Sequence, residues 1–86
     1  MKTNNYLTTK EFIKAVEEWG LDLSIEDDED YLFIKDVDGE VIANINKTIP
    51  FQLCTDYRSW DDLCDEDKED LFKLFTAYSS TPIDER

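Results

Sequence analysis

The chain has 86 residues, with 9 Lys and Arg against 22 Asp and Glu, no His, and a formal charge of −13. Those values fit one small acidic domain and disfavour direct contact with nucleic acid or an anionic membrane surface. Aromatic residues make up 13% of the chain, too many for a disordered acidic tail, and two Cys provide neither a disulfide framework nor a zinc site.

The charge is unevenly placed. Residues 1–20 balance three Lys with three Glu, so the whole excess lies in 21–86. One cluster is Glu26, Asp27, Asp28, Glu29 and Asp30; the other holds Asp61, Asp62, Asp65, Glu66, Asp67, Glu69 and Asp70. No repeat or Pro- or Gly/Ser-rich linker divides the chain. Met1 to Thr9 lack an apolar signal core, and no apolar run approaches the ~18 residues of a membrane span. A cytoplasmic protein is the expectation.

Thr8 and Glu11 have capping-box spacing, in which each side chain satisfies an otherwise orphaned backbone N–H. Phe12, Val16 and Trp19 recur at helical spacing beside Ile13, and Gly20 suits the position past the last turn, so a helix is predicted over 9–19. Leu21, Leu23 and Ile25 alternate with Asp22, Ser24 and Glu26, as in a half-buried strand. The acids at 27–30 must turn, because adjacent like charges do not bury.

A second strand is predicted over Tyr31 to Asp36 and a third over Val41 to Asn46. Asp38-Gly39 between them is the signature of a type I′ hairpin turn. Pairing Val37 with Glu40 then sets Ile34 opposite Ala43 and Leu32 opposite Ile45. One face would carry Leu32, Ile34, Val41, Ala43 and Ile45, the expected core. The other would carry Tyr31, Phe33, Lys35, Ile42 and Asn44. Tyr31, Phe33 and Ile42 are there either core under a helix or an exposed apolar contact face.

Phe51 to Cys54 suggests a short fourth strand or an irregular crossing. Ser59 is a candidate cap for a short turn with Trp60 and Leu63. The last long helix is predicted from Asp65, with acids in its first turns, where the helix dipole favours them. Leu71, Leu74, Phe75 and Tyr78 form its apolar stripe, and Ser79-Ser80-Thr81-Pro82 ends it. Thr81 with Pro82 can start one more helical turn. The expected architecture is α+β: helix, three- or four-stranded antiparallel meander, helix; both helices on one sheet face is the simplest packing, and a helix crossing to the other face is the alternative.

Chemistry is sparse. There is no His for acid–base catalysis at neutral pH, and a carboxylate pair would need a cleft to replace it. Cys54 and Cys64 read as small apolar residues, since a reactive thiol needs a cation or helix N-terminus and Cys64 sits among acids. An EF-hand register on Gly39 puts Ile34 and Ile45 at ligand positions, and the two Gly are too far apart for a phosphate loop. No catalytic residue, metal or cofactor is expected.

Binding is the remaining class. Carboxylates four residues apart on a helix lie about 6 Å apart along its axis. Phosphates of one DNA strand advance ~3.4 Å per nucleotide, so Asp62, Glu66, Asp67 and Asp70 can present a comparable charge density. Asp27, Asp28, Glu29 and Asp30 add a loop of the same sign. Such a surface can occupy the basic groove of a nucleic-acid-binding protein. Acids at helix starts also stabilise the helix and keep a small domain in solution.

Lys10-Glu11-Phe12-Ile13 followed by an acidic hairpin resembles small acidic proteins encoded by phages and prophages of Gram-positive bacteria. So does the segment from Asp56-Tyr57 through Leu71-Phe72-Lys73-Leu74-Phe75 to Thr81-Pro82-Ile83-Asp84-Glu85-Arg86. The resemblance carries no assigned activity. It implies an accessory protein in a bacterial cytoplasm, a setting in which small acidic proteins inhibit host nucleic-acid enzymes such as CRISPR nucleases and restriction systems. The expected partner is a basic or nucleic-acid-binding protein. The alternative is an interaction module that dimerises through the sheet face.

Overall fold

The computed structural model describes residues 6–20 and 22–86. Helix α1 (Thr9–Glu17) leads into strands β1 (Ser24–Asp27), β2 (Tyr31–Lys35), β3 (Val41–Asn46) and β4 (Leu53–Cys54). Helices α2 (Arg58–Asp61) and α3 (Asp65–Ser79) follow, then a 3-10 turn at Ile83–Glu85. The sheet is antiparallel in the order β1-β2-β3-β4, so the expected α+β meander forms with four strands. Leu21 of the first predicted strand lies outside the described residues; that strand is β1, and Leu23 ahead of it is buried.

The capping box forms as its spacing requires. Glu11 N–H donates to Thr8 Oγ1 at 3.1 Å, and Thr8 N–H donates to Glu11 Oε1 at 3.0 Å. Helix α1 buries Phe12 and Val16, while Trp19 packs beyond its C-cap. Phe12 stacks on Tyr78 at 4.8 Å between ring centroids and meets Phe75 edge-on at 6.0 Å. Leu32, Ile34, Ile45 and Leu71 complete the same cluster, so α1 and α3 cover one face of the sheet. Trp60 of α2 closes its side, with its ring 5.7 Å from Phe75. Tyr57 is the N-cap of α2, and Ser59 lies inside the helix rather than capping it.

The β2–β3 hairpin departs from the two-residue turn. Gly39 N–H donates to the Asp36 carbonyl and Asp36 N–H to the Glu40 carbonyl. Only Gly39, at φ 82°, takes the left-handed conformation there; Asp38 does not, so the turn is not type I′. A three-residue loop results, a type I turn with a left-handed Gly after it. The cause is Asp36, whose Oδ1 accepts from the N–H groups of Asp38 and Glu40, both at 2.9 Å.

The longer loop sets Lys35 opposite Val41, one residue out of step with Ile34 opposite Ala43, and Ile42 is the extra residue of a β-bulge. Ile42 therefore turns into the core and is 0% exposed, as is its neighbour Ala43. Val41, expected in the core, instead shares a face with Lys35.

Residues 81–86 close the fold like a clasp. Thr81 Oγ1 donates to the Ala77 carbonyl and accepts from Leu7 N–H. The Arg86 guanidinium donates to the carbonyls of Thr81 (2.9 Å), Asn46 (2.8 Å) and Ser79 (2.7 Å), and lies 4.7 Å over the Tyr78 ring. One side chain thus ties the end of β3 to the end of α3. Thr9 N–H, at the start of α1, donates to the Arg86 carbonyl. The Thr81-to-Arg86 segment that carries the resemblance is an element of the fold.

Candidate protein-binding surfaces

The hairpin acids are organised by Lys47. Its ammonium pairs with the Asp27 carboxylate and donates to the Asp28 carbonyl at 2.9 Å, while its backbone N–H donates to the Asp30 carbonyl at 2.8 Å. Asp27 is thereby neutralised. Asp28, Glu29 and Asp30 are exposed, and their carboxylates form no ion pair among the described residues.

The second cluster divides. Asp62 is the C-cap of α2 rather than a residue of the last helix, as the spacing had suggested. Glu66 and Asp70 are exposed on α3 and unpaired among the described residues. Asp67 stands apart from them: it is half-buried, and its Oδ2 accepts from Cys64 Sγ at 3.2 Å across the start of the helix. It serves the helix start, as the dipole favours. Glu69 is paired with Lys73 at 3.5 Å.

The fold holds the two clusters at opposite ends of α3. Hydrogen bonds link the acidic hairpin through Lys47 and Asn46 to Arg86, and so to Ser79, the last residue of α3. Glu66 lies in the first turn of that helix, about 20 Å away along the axis at ~1.5 Å per residue.

The apolar contact face is smaller than expected. Ile42 is core, so Tyr31, Phe33 and Ile42 do not form one surface. Tyr31 is exposed and Phe33 half-buried, with ring centroids 5.8 Å apart. Glu26, Phe33, Asn44 and Cys54 form a row across this face, Lys35 pairs with Glu26, and Asn44 Nδ2 donates to Tyr57 Oη at 2.6 Å.

A larger apolar surface lies where sequence patterning did not place one. A groove of about 710 Å³ runs between β4 and α3, walled by Phe51, Leu53, Phe72 and Ala77. Phe51 is 75% exposed and Phe72 44%. One signal for Phe72 was available: it falls beside the Leu71, Leu74, Phe75 and Tyr78 stripe rather than on it. Phe51 had been read as the start of a short strand or of an irregular crossing, and β4 begins only at Leu53. Phe51 has a φ of 64°, which breaks the strand, and its N–H donates to the Ser79 carbonyl at 2.9 Å.

Two further grooves, beside Trp19 and beside Tyr31, have at most one carboxylate in their walls, and the β4–α3 groove has none. No group of three or more His, Cys, Asp or Glu among the described residues is arranged to hold a metal ion. No described helix is long and apolar enough to cross a membrane. In comparisons with known proteins, no family model matches the chain, and no curated protein or solved structure is significantly similar to it.

Proposed function

We propose that this chain is a non-catalytic accessory protein of the phage and prophage kind, which binds a basic protein and occupies its nucleic-acid site. The observation that carries the reading is the state of six carboxylates. Asp28, Glu29, Asp30, Asp62, Glu66 and Asp70 are exposed and have no cation partner among the described residues, on a chain of charge −13. Left unpaired, they project a field that steers a Lys- and Arg-rich surface toward them. Asp30 is joined through Lys47, Asn46 and Arg86 to the Ser79 end of α3, and Glu66 lies in the first turn of that helix, so the two groups sit toward different ends of it. They can stand in for phosphates on successive parts of one duplex.

The test is capture of partners from a Gram-positive bacterial lysate, with and without excess duplex DNA, by the native chain and by the triple variant D62K/E66K/D70K. The expected result is a DNA-binding protein that the native chain retains, that DNA displaces and that the variant fails to retain. Retention unaffected by both DNA and the charge reversal refutes the reading.

A further inference from the structure

A groove of about 480 Å³ joins the end of α1 to α3 and contains one of the unpaired acids in its wall. Asp70, Lys73, Leu74 and Ala77 line it from α3, where they recur at i, i+3, i+4 and i+7 and so share one stripe. Trp19 lines it from just past α1, where its N–H donates to the Val16 carbonyl at 3.1 Å. Tyr6 and Leu7 line it from ahead of α1, and Leu7 is fixed there by its N–H bond to Thr81 Oγ1 at 3.0 Å. Tyr6 is exposed and Trp19 half-buried.

Asp70 sets the charge of this groove. Lys73, the cation in the wall, is paired with Glu69 at 3.5 Å, whereas Asp70 is exposed and has no cation partner among the described residues. Glu66, also exposed and unpaired among them, lies four residues earlier, one turn along the same flank of α3. The groove therefore opens onto the acidic surface and places a carboxylate beside two aromatic side chains.

That combination selects its occupant. An apolar group would desolvate Asp70 without giving it a partner. A second copy would bring −13 against −13. A guanidinium satisfies both kinds of wall: it is more weakly hydrated than an ammonium, stacks on aromatic rings, and meets a carboxylate through a planar fork of donors. The chain makes the aromatic half of this contact internally, with the Arg86 guanidinium 4.7 Å over the Tyr78 ring.

We propose that this groove is the anchor point of the acidic surface and takes one arginine side chain of the basic partner, its guanidinium against Trp19 and Tyr6 and paired with Asp70. The inference rests on the reading that the partner is basic and deepens it. Asp62 and Glu66 act through their field and govern the rate of encounter, while the groove holds the partner once it has arrived.

The test is an NMR titration of the chain with N-acetyl-arginine amide and, in parallel, N-acetyl-lysine amide at physiological salt, read at the Trp19 indole N–H. The variants are D70N, which removes the charge at constant shape, and W19L, which keeps apolar bulk without a ring; each is checked for native circular dichroism. We expect the arginine amide to shift the indole resonance and to bind roughly threefold or more tighter than the lysine amide. D70N and W19L should each weaken arginine binding roughly threefold or more, as for loss of a partly exposed ion pair or cation–π contact. W19L leaves the net charge unchanged, so as bait in a Gram-positive lysate it should retain less of the DNA-displaced partner than the native chain does. The amide titration needs no partner and judges the groove alone, whereas DNA-sensitive capture judges the proposed function, so the two fail separately. An indole resonance that does not move, equal binding of arginine and lysine amides, or equal arginine binding by D70N and the native chain would overturn the proposal. Full retention of the partner by natively folded W19L would overturn it as well.

Discussion

Arg86→Ala tests how this small domain is closed. The guanidinium makes three hydrogen bonds to carbonyls on two stretches of chain, Ser79 and Thr81 at the end of α3 and Asn46 at the end of β3, and covers the Tyr78 ring. Hydrogen bonds from a charged donor contribute about 1.5 kcal/mol each at the low end, and an exposed cation–π contact about 0.5–1 kcal/mol. Their sum is about 5 kcal/mol. Arg86 is only half-buried, so water re-satisfies part of what is lost, and we expect a net cost of about 2–4 kcal/mol. A domain of this length has about 4–13 kcal/mol in total. The variant should therefore melt about 8–32 °C lower, at 4–8 °C per kcal/mol. Urea titration followed by circular dichroism reads the free energy, and amide exchange at Phe51 and Thr9 reads the site of loosening. Arg86→Lys keeps the charge but not the planar fork, and should recover less than half of the loss. A cost below about 0.5 kcal/mol for Arg86→Ala would refute the clasp.

Other expectations follow from individual contacts. Ile42→Ala should cost about 2–4 kcal/mol by urea titration, as for a core isoleucine, whereas Tyr31→Ala should cost under about 1 kcal/mol. Equal costs would contradict the bulge. Gly39→Ala should lose about 1 kcal/mol, because its φ of 82° strains any residue with a Cβ although the space around it is open. Phe51→Gly should be neutral or slightly stabilising by thermal melting, since relief of the left-handed strain opposes the greater freedom of the unfolded chain. Added salt should raise the melting temperature over the first few hundred millimolar by screening the −13 self-repulsion; a flat response would mean that the charges are already balanced locally.

Local signals in the chain were legible where a short stretch decides the outcome. The Thr8–Glu11 box starts α1, and the Leu71, Phe75 and Tyr78 stripe of α3 is buried as its spacing requires. The hairpin was legible to within one residue. Asp38-Gly39 marks the turn, but the Asp36 carboxylate binds two amides beyond it and lengthens the loop. That extra residue exchanges the faces of Val41 and Ile42 and removes Ile42 from the candidate contact surface. Tertiary placement was not legible. Nothing local to Lys47 shows that it folds back on Asp27, nor that Asp62 ends one helix while Glu66 begins another. The β4–α3 groove arises because Phe51, held by the Ser79 carbonyl, turns out of the strand twenty-one residues before Phe72 reaches the same surface. Its existence depends on packing between distant segments.

If the proposed function holds, the acidic surface and a nucleic acid compete for one site on the partner. Fluorescence anisotropy of a labelled duplex bound to the partner protein, titrated with this chain, reads that competition. The duplex should be released as the chain is added, release should weaken steeply with salt, and D62K/E66K/D70K should not release it. A duplex that stays bound while the chain joins it in a ternary complex would refute competition for the site.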